Sequence, residues 1–120
     1  MREEDAFSSA QVLKGHLDLL LLATLREEPA HGYAIIERLS LHSGGTFDLP
    51  EGTIYPALHR LEQAKLLVSR WSEEHGRRRR IYSLTKRGLA ELQQGSDKWS
   101  LFADSVALVL FGRKWEGQAW

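Results

Sequence analysis

Cysteine is absent from this chain of 120 residues, proline occurs only three times, and neither sign of charge is in surplus. Without cysteine, disulfide-stapled folds, thiolate zinc sites and cysteine nucleophiles are excluded. Long apolar runs are also lacking, because the longest, at residues 19–23 and 106–111, are far too short to span a bilayer. The 42% apolar and 27% charged residues are typical of a globular protein. We therefore predict a single cytoplasmic domain with no membrane segment.

Motifs that carry catalysis are missing as well. The sequence contains no paired-histidine metal motif, no nucleophile elbow and no glycine-rich phosphate loop, and its five histidines are scattered along the chain. A catalytic site needs several such groups in one place. We predict that the protein is not an enzyme and that it uses no metal and no cofactor.

The first part of the chain has the apolar spacing of a helix. This helix is predicted to begin at Ser8 or Ser9, either of which can cap it, and to end before Pro29. Its apolar stripe consists of Leu13, Leu17, Leu20, Leu21 and Leu25.

A second helix is predicted over residues 31–41, and its apolar periodicity places three side chains on one side. These are Tyr33, Ile36 and Leu39. Residues 42–49 then have the composition of a turn, with one brief extended pairing expected near Phe47 and Leu49.

Pro50 suits the start of a third helix, where Glu51 favours the positive end of the helix dipole. Alternatively this helix begins at a Thr53 cap, which places Pro56 in its first turns. At its end Lys65 stands where a left-handed residue is wanted, at a cost of about 1 kcal/mol. The predicted buried face consists of Ile54, Leu58 and Leu61.

A β-hairpin with a basic tip follows. Residues 66–71 and 79–84 have an extended pattern, and residues 73–76 between them have turn composition. From Arg70 to Arg87 there are seven basic residues and two acidic ones. Such a run either binds an acidic partner or is a solvated charged turn.

The last long segment is predicted to be a helix that Thr85 caps and that runs to about Phe111. Apolar residues recur in it every seven positions, which is the pattern that one helix uses against another. We predict that this seam is a homodimer interface. It comprises Leu92, Trp99, Phe102, Val106 and Val109.

Three short helices followed by a basic hairpin is the order of elements in a winged helix-turn-helix domain. We therefore predict a mainly α fold with a small β-hairpin and a long C-terminal dimerisation helix. Residues 1–84 would form the DNA-binding domain and residues 85–112 the dimerisation helix, with 113–120 as a tail without periodicity.

Four sequence blocks make this prediction more specific. They are LKGHLD at 13–18, HGY at 31–33, GTIYPALHRLE at 52–62 and GRRRRIYSLT at 76–85. In this order and spacing, they resemble the pattern of PadR-type transcriptional regulators across roughly residues 13–88. The resemblance implies a winged-helix dimer that represses transcription and is often relieved by a small molecule. Two departures from the pattern are Lys65, where glycine is common, and His59, where lysine or arginine is frequent.

In a winged helix the outward side of the third helix reads DNA. Spacing of three and four residues places Thr53, Tyr55 and His59 opposite the buried face, where hydroxyls and an imidazole can contact phosphates or base edges. For Tyr55 the alternative is packing against the hairpin. The double-stranded operator is the predicted partner.

Along the hairpin, Arg77, Arg78, Arg79 and Arg80 alternate between faces, so at most two meet the DNA from one side. The resemblance implies a partly structural role for Arg79. Tyr33 either contacts a phosphate or, like His31, packs and caps the second helix. Trp71 is interpreted as hairpin packing.

Trp99 belongs to the predicted dimer core, as aromatic residues at helical spacing usually do. In some members of the family that the chain resembles, an aromatic residue at this place lines a cavity between subunits. Gly95 and Ser96 remove bulk beside it, so a planar aromatic effector is expected to stack there. The alternative function is a winged-helix adaptor that binds proteins and has weak or no affinity for DNA, which a net charge of zero favours.

Overall fold

The computed structural model describes residue 13 and residues 15–114. The predicted caps Ser8 and Ser9, and the last six residues of the predicted tail, lie outside the described residues. Within the described part, no helix is long and apolar enough to cross a membrane. Four helices and three strands follow one another there: α1 (Leu17–Thr24), β1 (Ala30–His31), α2 (Gly32–His42), α3 (Glu51–Gln63), β2 (Leu67–Glu74), β3 (Arg77–Leu84) and α4 (Lys86–Phe111).

The predicted first helix is interrupted. Leu13 is helical, but residues 15 and 16 form a turn in which Gly15 has a φ of +88°, and α1 begins only at Leu17. Glycine adopts this left-handed backbone without steric cost, so the chain changes direction there. The apolar stripe alone could not show the break, because it continues on both sides of it.

The second helix lies where it was predicted, but its buried side is different. Ile35 and Leu39 are buried, whereas Tyr33 is exposed and Ile36 is half-buried. The pairing expected near Phe47 and Leu49 is also wrong, since these residues belong to no strand. The third strand is instead β1, which pairs antiparallel with Ile81 and Tyr82 of β3.

The sheet has the order β1, β3, β2, and all of its pairs are antiparallel. The hairpin strands are longer than predicted, because Glu74 still pairs with Arg77 across a turn of only two residues. Both turn residues, His75 and Gly76, have positive φ values of 52° and 74°, the backbone of a type I′ turn. This turn matches the right-handed twist of the strands.

The core lies between the helices and the buried side of the sheet. Leu21, Ile35 and Leu58 meet there, and Leu92 of α4 joins the same cluster. The loop between α1 and β1 is tied down by Arg38, whose guanidinium donates to the carbonyls of Thr24 at 2.9 Å and Glu28 at 3.0 Å. It also forms an ion pair with the Glu28 carboxylate at 3.0 Å. This loop therefore has a fixed course despite having no regular structure.

The end of α3 has the left-handed residue that the sequence predicted. Lys65 has a φ of +67°. The Lys65 amide donates to the carbonyl of Glu62 and the Leu66 amide to that of Leu61, both at 3.0 Å, which together make a Schellman cap. The Thr85 hydroxyl donates to the Lys65 carbonyl at 2.7 Å and holds the strained residue in place.

Replacing Lys65 with glycine is expected to stabilise the protein. Glycine relieves the left-handed strain, which stabilises the folded protein, but it also gives the unfolded chain more freedom, which opposes this gain. The net increase in the free energy of unfolding is about 0.5–1 kcal/mol. Urea denaturation measures it. Lys65→Ala is the control, since it removes the long side chain but keeps the Cβ, and equal stability of the two variants would contradict the strain argument.

Candidate nucleic-acid interface

The N-terminal ends of α2 and α3 lie next to the hairpin. Together they form a cleft of about 460 Å³ that is rich in aromatic rings and guanidinium groups. Six of the eight residues predicted to bind DNA line it or stand in it, and Thr53 and His59 lie on the exposed surface of α3. The lining consists of His31, Gly32, Tyr33, Tyr55, Trp71, Arg77, Arg78, Arg79, Arg80 and Tyr82.

Tyr55 is half-buried and does not point wholly outward as predicted. Its ring lies against the backbone of Gly32, where an added Cβ would come within 2.2 Å of the Tyr55 hydroxyl oxygen. Burial raises the pKa of Tyr55 above its usual range, so the hydroxyl keeps its proton and can donate to a phosphate oxygen. The contact also fixes the position of α3 against α2.

The exposed side of α3 includes residues that the sequence interpretation omitted. Pro56, Arg60 and Gln63 follow Thr53 at helical spacing and are all exposed. Arg60 forms an ion pair with Asp18 of α1. The signal was present in the sequence, because steps of three and four residues from Thr53 lead to these positions.

Tyr33, at the start of α2, reaches the first turn of α3. Its hydroxyl donates to the Glu51 carboxylate at 3.3 Å, and its ring is more than half exposed. The side chain therefore stands at the rim of the cleft, where it is accessible from outside.

The four hairpin arginines divide between two faces, as their alternation predicted. Arg78 and Arg80 share a face with Trp71, and their guanidinium carbons lie 4.4 and 5.2 Å from its ring centroid. Arg79 lies on the other face, where its Nη1 is 2.7 Å from Nε2 of His31. Trp71 is half-exposed, and cation–π contacts with Arg78 and Arg80 hold its ring in place.

His31 caps α2, as one of its sequence interpretations had it. Its Nδ1 is 3.3 Å from the amide nitrogen of Ala34, while Nε2 faces Arg79. A neutral imidazole can accept a hydrogen bond at only one nitrogen, and a guanidinium can only donate. The two donors therefore compete for one ring, which caps α2 in one tautomer and accepts from Arg79 in the other.

The C-terminal half of α4 presents a second surface. Of the predicted interface residues, Val109 is 86% exposed and Trp99 45%, and Phe102 is also exposed. Leu92 is different, because it is only 2% exposed and already packs in the core of its own chain. The apolar seam of α4 thus begins in the core of its own chain and continues onto the exposed surface. Heptad spacing alone does not show at which residue the seam leaves the core.

Trp99 separates two open cavities along α4. One, of about 360 Å³, is bounded by His16 and Leu19 of the α1 region, and the other, of about 420 Å³, by Ala103 and Phe111. The gap expected beside Gly95 is partly filled, since a Cβ there would come within 2.5 Å of Leu19 Cδ1. Gly95 thus allows α1 to approach α4, and the free space lies next to the Trp99 ring instead.

The described residues contain no group of three histidine or acidic side chains that could hold a metal ion. The charge of the cleft is instead carried by guanidinium groups, although the whole chain has no net charge. Such a local cluster attracts phosphate groups.

Comparison with known proteins agrees with this geometry. The sequence model described as "Transcriptional regulator PadR-like family" matches residues 21–94, more than half of the chain. The transcriptional regulator Rv3488 of Mycobacterium tuberculosis is 38% identical over 76 residues, which are 63% of this chain and 68% of that protein. These similarities are to regulators of transcription and not to enzymes, as the sequence predicted.

Solved structures show the same fold. A PadR family transcriptional regulator from Eggerthella lenta is 34% identical, with a TM-score of 0.75, over 90% of this chain and 96% of that one. A PadR-like transcriptional regulator from Bacillus cereus is 33% identical, with a TM-score of 0.76, over 86% and 99% of the two chains. The predicted winged helix with a long C-terminal helix is therefore confirmed.

His31 is expected to make stability depend on pH. Burial, and next the charge of Arg79, lower the pKa of His31 below its ordinary value of 6.5, against the opposing effect of Glu37 and Glu74. Between that lowered pKa and 6.5 the unfolded chain binds more protons, so stability falls as the pH drops through this window. Thermal unfolding followed by circular dichroism should show a melting temperature lower at pH 5.5 than at pH 7.

The control is His31→Asn, which keeps a good cap for α2 but does not titrate. Its melting temperature should fall less between the same two pH values. An equal fall in both proteins would show that His31 is not responsible.

Proposed function

Since the chain belongs to the PadR-like family of transcriptional regulators, we propose that it binds a specific operator as a homodimer and represses transcription until a planar aromatic compound releases it. The protein is a DNA-binding regulator, and repression, the dimer and the effector are the proposed parts. As a regulator of transcription it would act where the DNA is, in the cytoplasm.

The observation that carries the proposal is the position of the guanidinium cluster beside the start of α3. When α3 lies in the major groove, its exposed Thr53 and His59 face base edges. The hairpin is then beside the backbone, where Arg77 and Arg78 neutralise phosphates. Tyr33 and Tyr55 at the cleft add hydroxyl donors.

Arg79 and Arg80 contribute differently to binding. Arg79 is engaged by His31, and the Nε of Arg80 donates to Ser69 Oγ at 2.7 Å. Their charge still acts on nearby phosphates, but their side chains hold the hairpin in place. We therefore assign the principal phosphate contacts to Arg77 and Arg78, one from each face of the hairpin tip.

The exposed end of α4 supports the proposed homodimer. Phe102 and Val109 share one face of α4, and Leu101, Leu110 and Phe111 on its other sides are also apolar, all five being at least 56% exposed. An apolar surface of this extent on a small protein is usually covered by a partner. A second copy of α4 provides the same surface and covers both at once.

Trp99 supports the proposed effector site. Its ring makes an edge contact with His16, at 5.3 Å between centroids, and leaves open cavities on two sides. A planar compound fits against such a ring, and stacking adds about 0.5–1.5 kcal/mol for each aromatic pair. The expected affinity is therefore micromolar.

Replacing Arg77 and Arg78 together with alanine is expected to weaken binding to operator and to random duplexes alike, because phosphate contacts carry no sequence information. The salt dependence, log K against log salt, should become less steep by about one for each phosphate that the protein no longer neutralises. The operator is first identified by selecting, from a library of random duplexes, those that the full-length protein binds. Fluorescence anisotropy at several salt concentrations then gives both quantities.

Two results would contradict this account. An unchanged salt slope would remove the hairpin from the interface. If selection enriches no sequence, the adaptor function becomes the better explanation, which the net charge of zero favours.

A planar aromatic ligand is expected to quench tryptophan fluorescence and to reduce operator affinity. Sedimentation at tens of micromolar, where obligate dimers persist, first establishes the homodimer. A panel of planar aromatic compounds is then titrated into the protein and into Trp99→Ala. Quenching that survives in Trp99→Ala would place the ligand elsewhere, and operator binding unchanged at saturating ligand would exclude release.

A further inference from the structure

The outer part of the hairpin is a ribbon of only two strands. β1 pairs with Ile81 and Tyr82 alone, so among the residues that the structure describes no third strand lies beside residues 71–80. A two-stranded ribbon is marginally stable by itself. Side-chain contacts must therefore help to set the direction in which the hairpin projects from α3.

One face of the hairpin carries a series of contacts that begins on α3. Ser69 Oγ donates to Glu62 Oε2 at 2.6 Å and accepts from Arg80 Nε at 2.7 Å. Arg80 Nη2 also lies 3.8 Å from the same Glu62 oxygen. The serine hydroxyl thus joins a carboxylate of α3 to a guanidinium of β3, with one hydrogen bond in each direction.

Trp71 extends the series toward the tip. Its ring lies 5.2 Å from the guanidinium carbon of Arg80 and 4.4 Å from that of Arg78, both within cation–π range. Trp71 stands directly opposite Arg80 in the strand pairing, which keeps these groups on one face. We call this series the hairpin ladder, and it consists of Glu62, Ser69, Arg80, Trp71 and Arg78.

We propose that Glu62 is a positioning residue for DNA recognition, which acts through the hairpin ladder to hold the Arg78 guanidinium at a fixed place relative to α3. The proposal rests on the proposed DNA binding. Operator binding needs α3 in the major groove and Arg78 on a phosphate at the same time, so a side chain that is already held costs less entropy to bind. Random duplexes are bound in many arrangements and do not need this fixed geometry.

Electrostatics alone predicts the opposite effect on DNA affinity when Glu62 is removed. It is a carboxylate close to the surface that faces DNA, so its removal should strengthen binding to any duplex. The hairpin ladder predicts instead that removal weakens operator binding and leaves binding to random duplexes equal or stronger. The sign of the change therefore separates the two roles.

The experiment compares Glu62→Ala with wild type on the selected operator and on a random duplex of equal length. Operator affinity is expected to fall about two- to tenfold, as expected when one long side chain loses its fixed place. Trp71→Ala should have the same effect, whereas Trp71→Phe keeps an aromatic face and should bind almost as wild type. Glu91→Ala, which removes an exposed carboxylate from α4, is the charge-matched control and should change neither affinity.

A double-mutant cycle tests whether Glu62 acts through Arg78. In an Arg78→Ala background, Glu62→Ala should change operator affinity less than twofold, because the guanidinium that it positions is gone. A full-size effect in that background would overturn the proposal, as would equal strengthening on both duplexes. If Glu62→Ala does not fold, Trp71→Ala and Trp71→Phe in the same cycle decide the question.

A measurement without DNA separates this proposal from the proposed function. Deuterium exchange of the outer hairpin amides should be faster in Glu62→Ala and Trp71→Ala than in wild type and Glu91→Ala. If exchange is faster in the two variants but the wild-type protein does not prefer an operator, the proposed function is refuted. The hairpin ladder then remains as a structural element. Unchanged exchange would refute the hairpin ladder whether or not DNA binds.

Discussion

The close contact between the Tyr55 ring and the Gly32 backbone determines how the DNA-facing elements are placed. Only a residue without a Cβ allows this approach, since an added atom would lie 2.2 Å from the tyrosine hydroxyl. Gly32 begins α2 and directly follows β1, which pairs with β3. One contact therefore locates the third helix, the second helix and the base of the hairpin relative to each other.

Helix α4 has a different environment at each end. Near its start, a Cβ on Gly88 would lie 2.1 Å from the Leu66 carbonyl oxygen, and Leu92 is buried in the core. From Leu101 onward most of its large apolar side chains are exposed. A single helix thus belongs to the winged-helix core at one end and offers an uncovered apolar surface at the other.

Most elements were predictable from local signals. Thr85 caps α4, Pro50 and Glu51 begin α3, and glycine in the hairpin turn marks its tip. β1 was not predictable, because two residues cannot show alternation, and its partner strand is 50 residues away. Periodicity also shows which residues share a face but not what that face meets. For this reason Leu92, which is buried in the chain's own core, was assigned to the dimer interface, and Tyr55, which is half-buried against Gly32, was placed wholly on the outward, DNA-facing side of α3.

The length of α4 has a mechanical consequence. Leu92 and Val109 are 17 positions apart on one continuous helix, about 26 Å along its axis. Because the first is fixed in the core and the second is exposed, α4 acts as a lever arm between the two surfaces. If α4 tilted by about 5° about its Val109 end, its Leu92 end and the core attached to it would move by about 2 Å. A small change of packing at the Val109 end would thereby become a shift of ångström size at the winged-helix core.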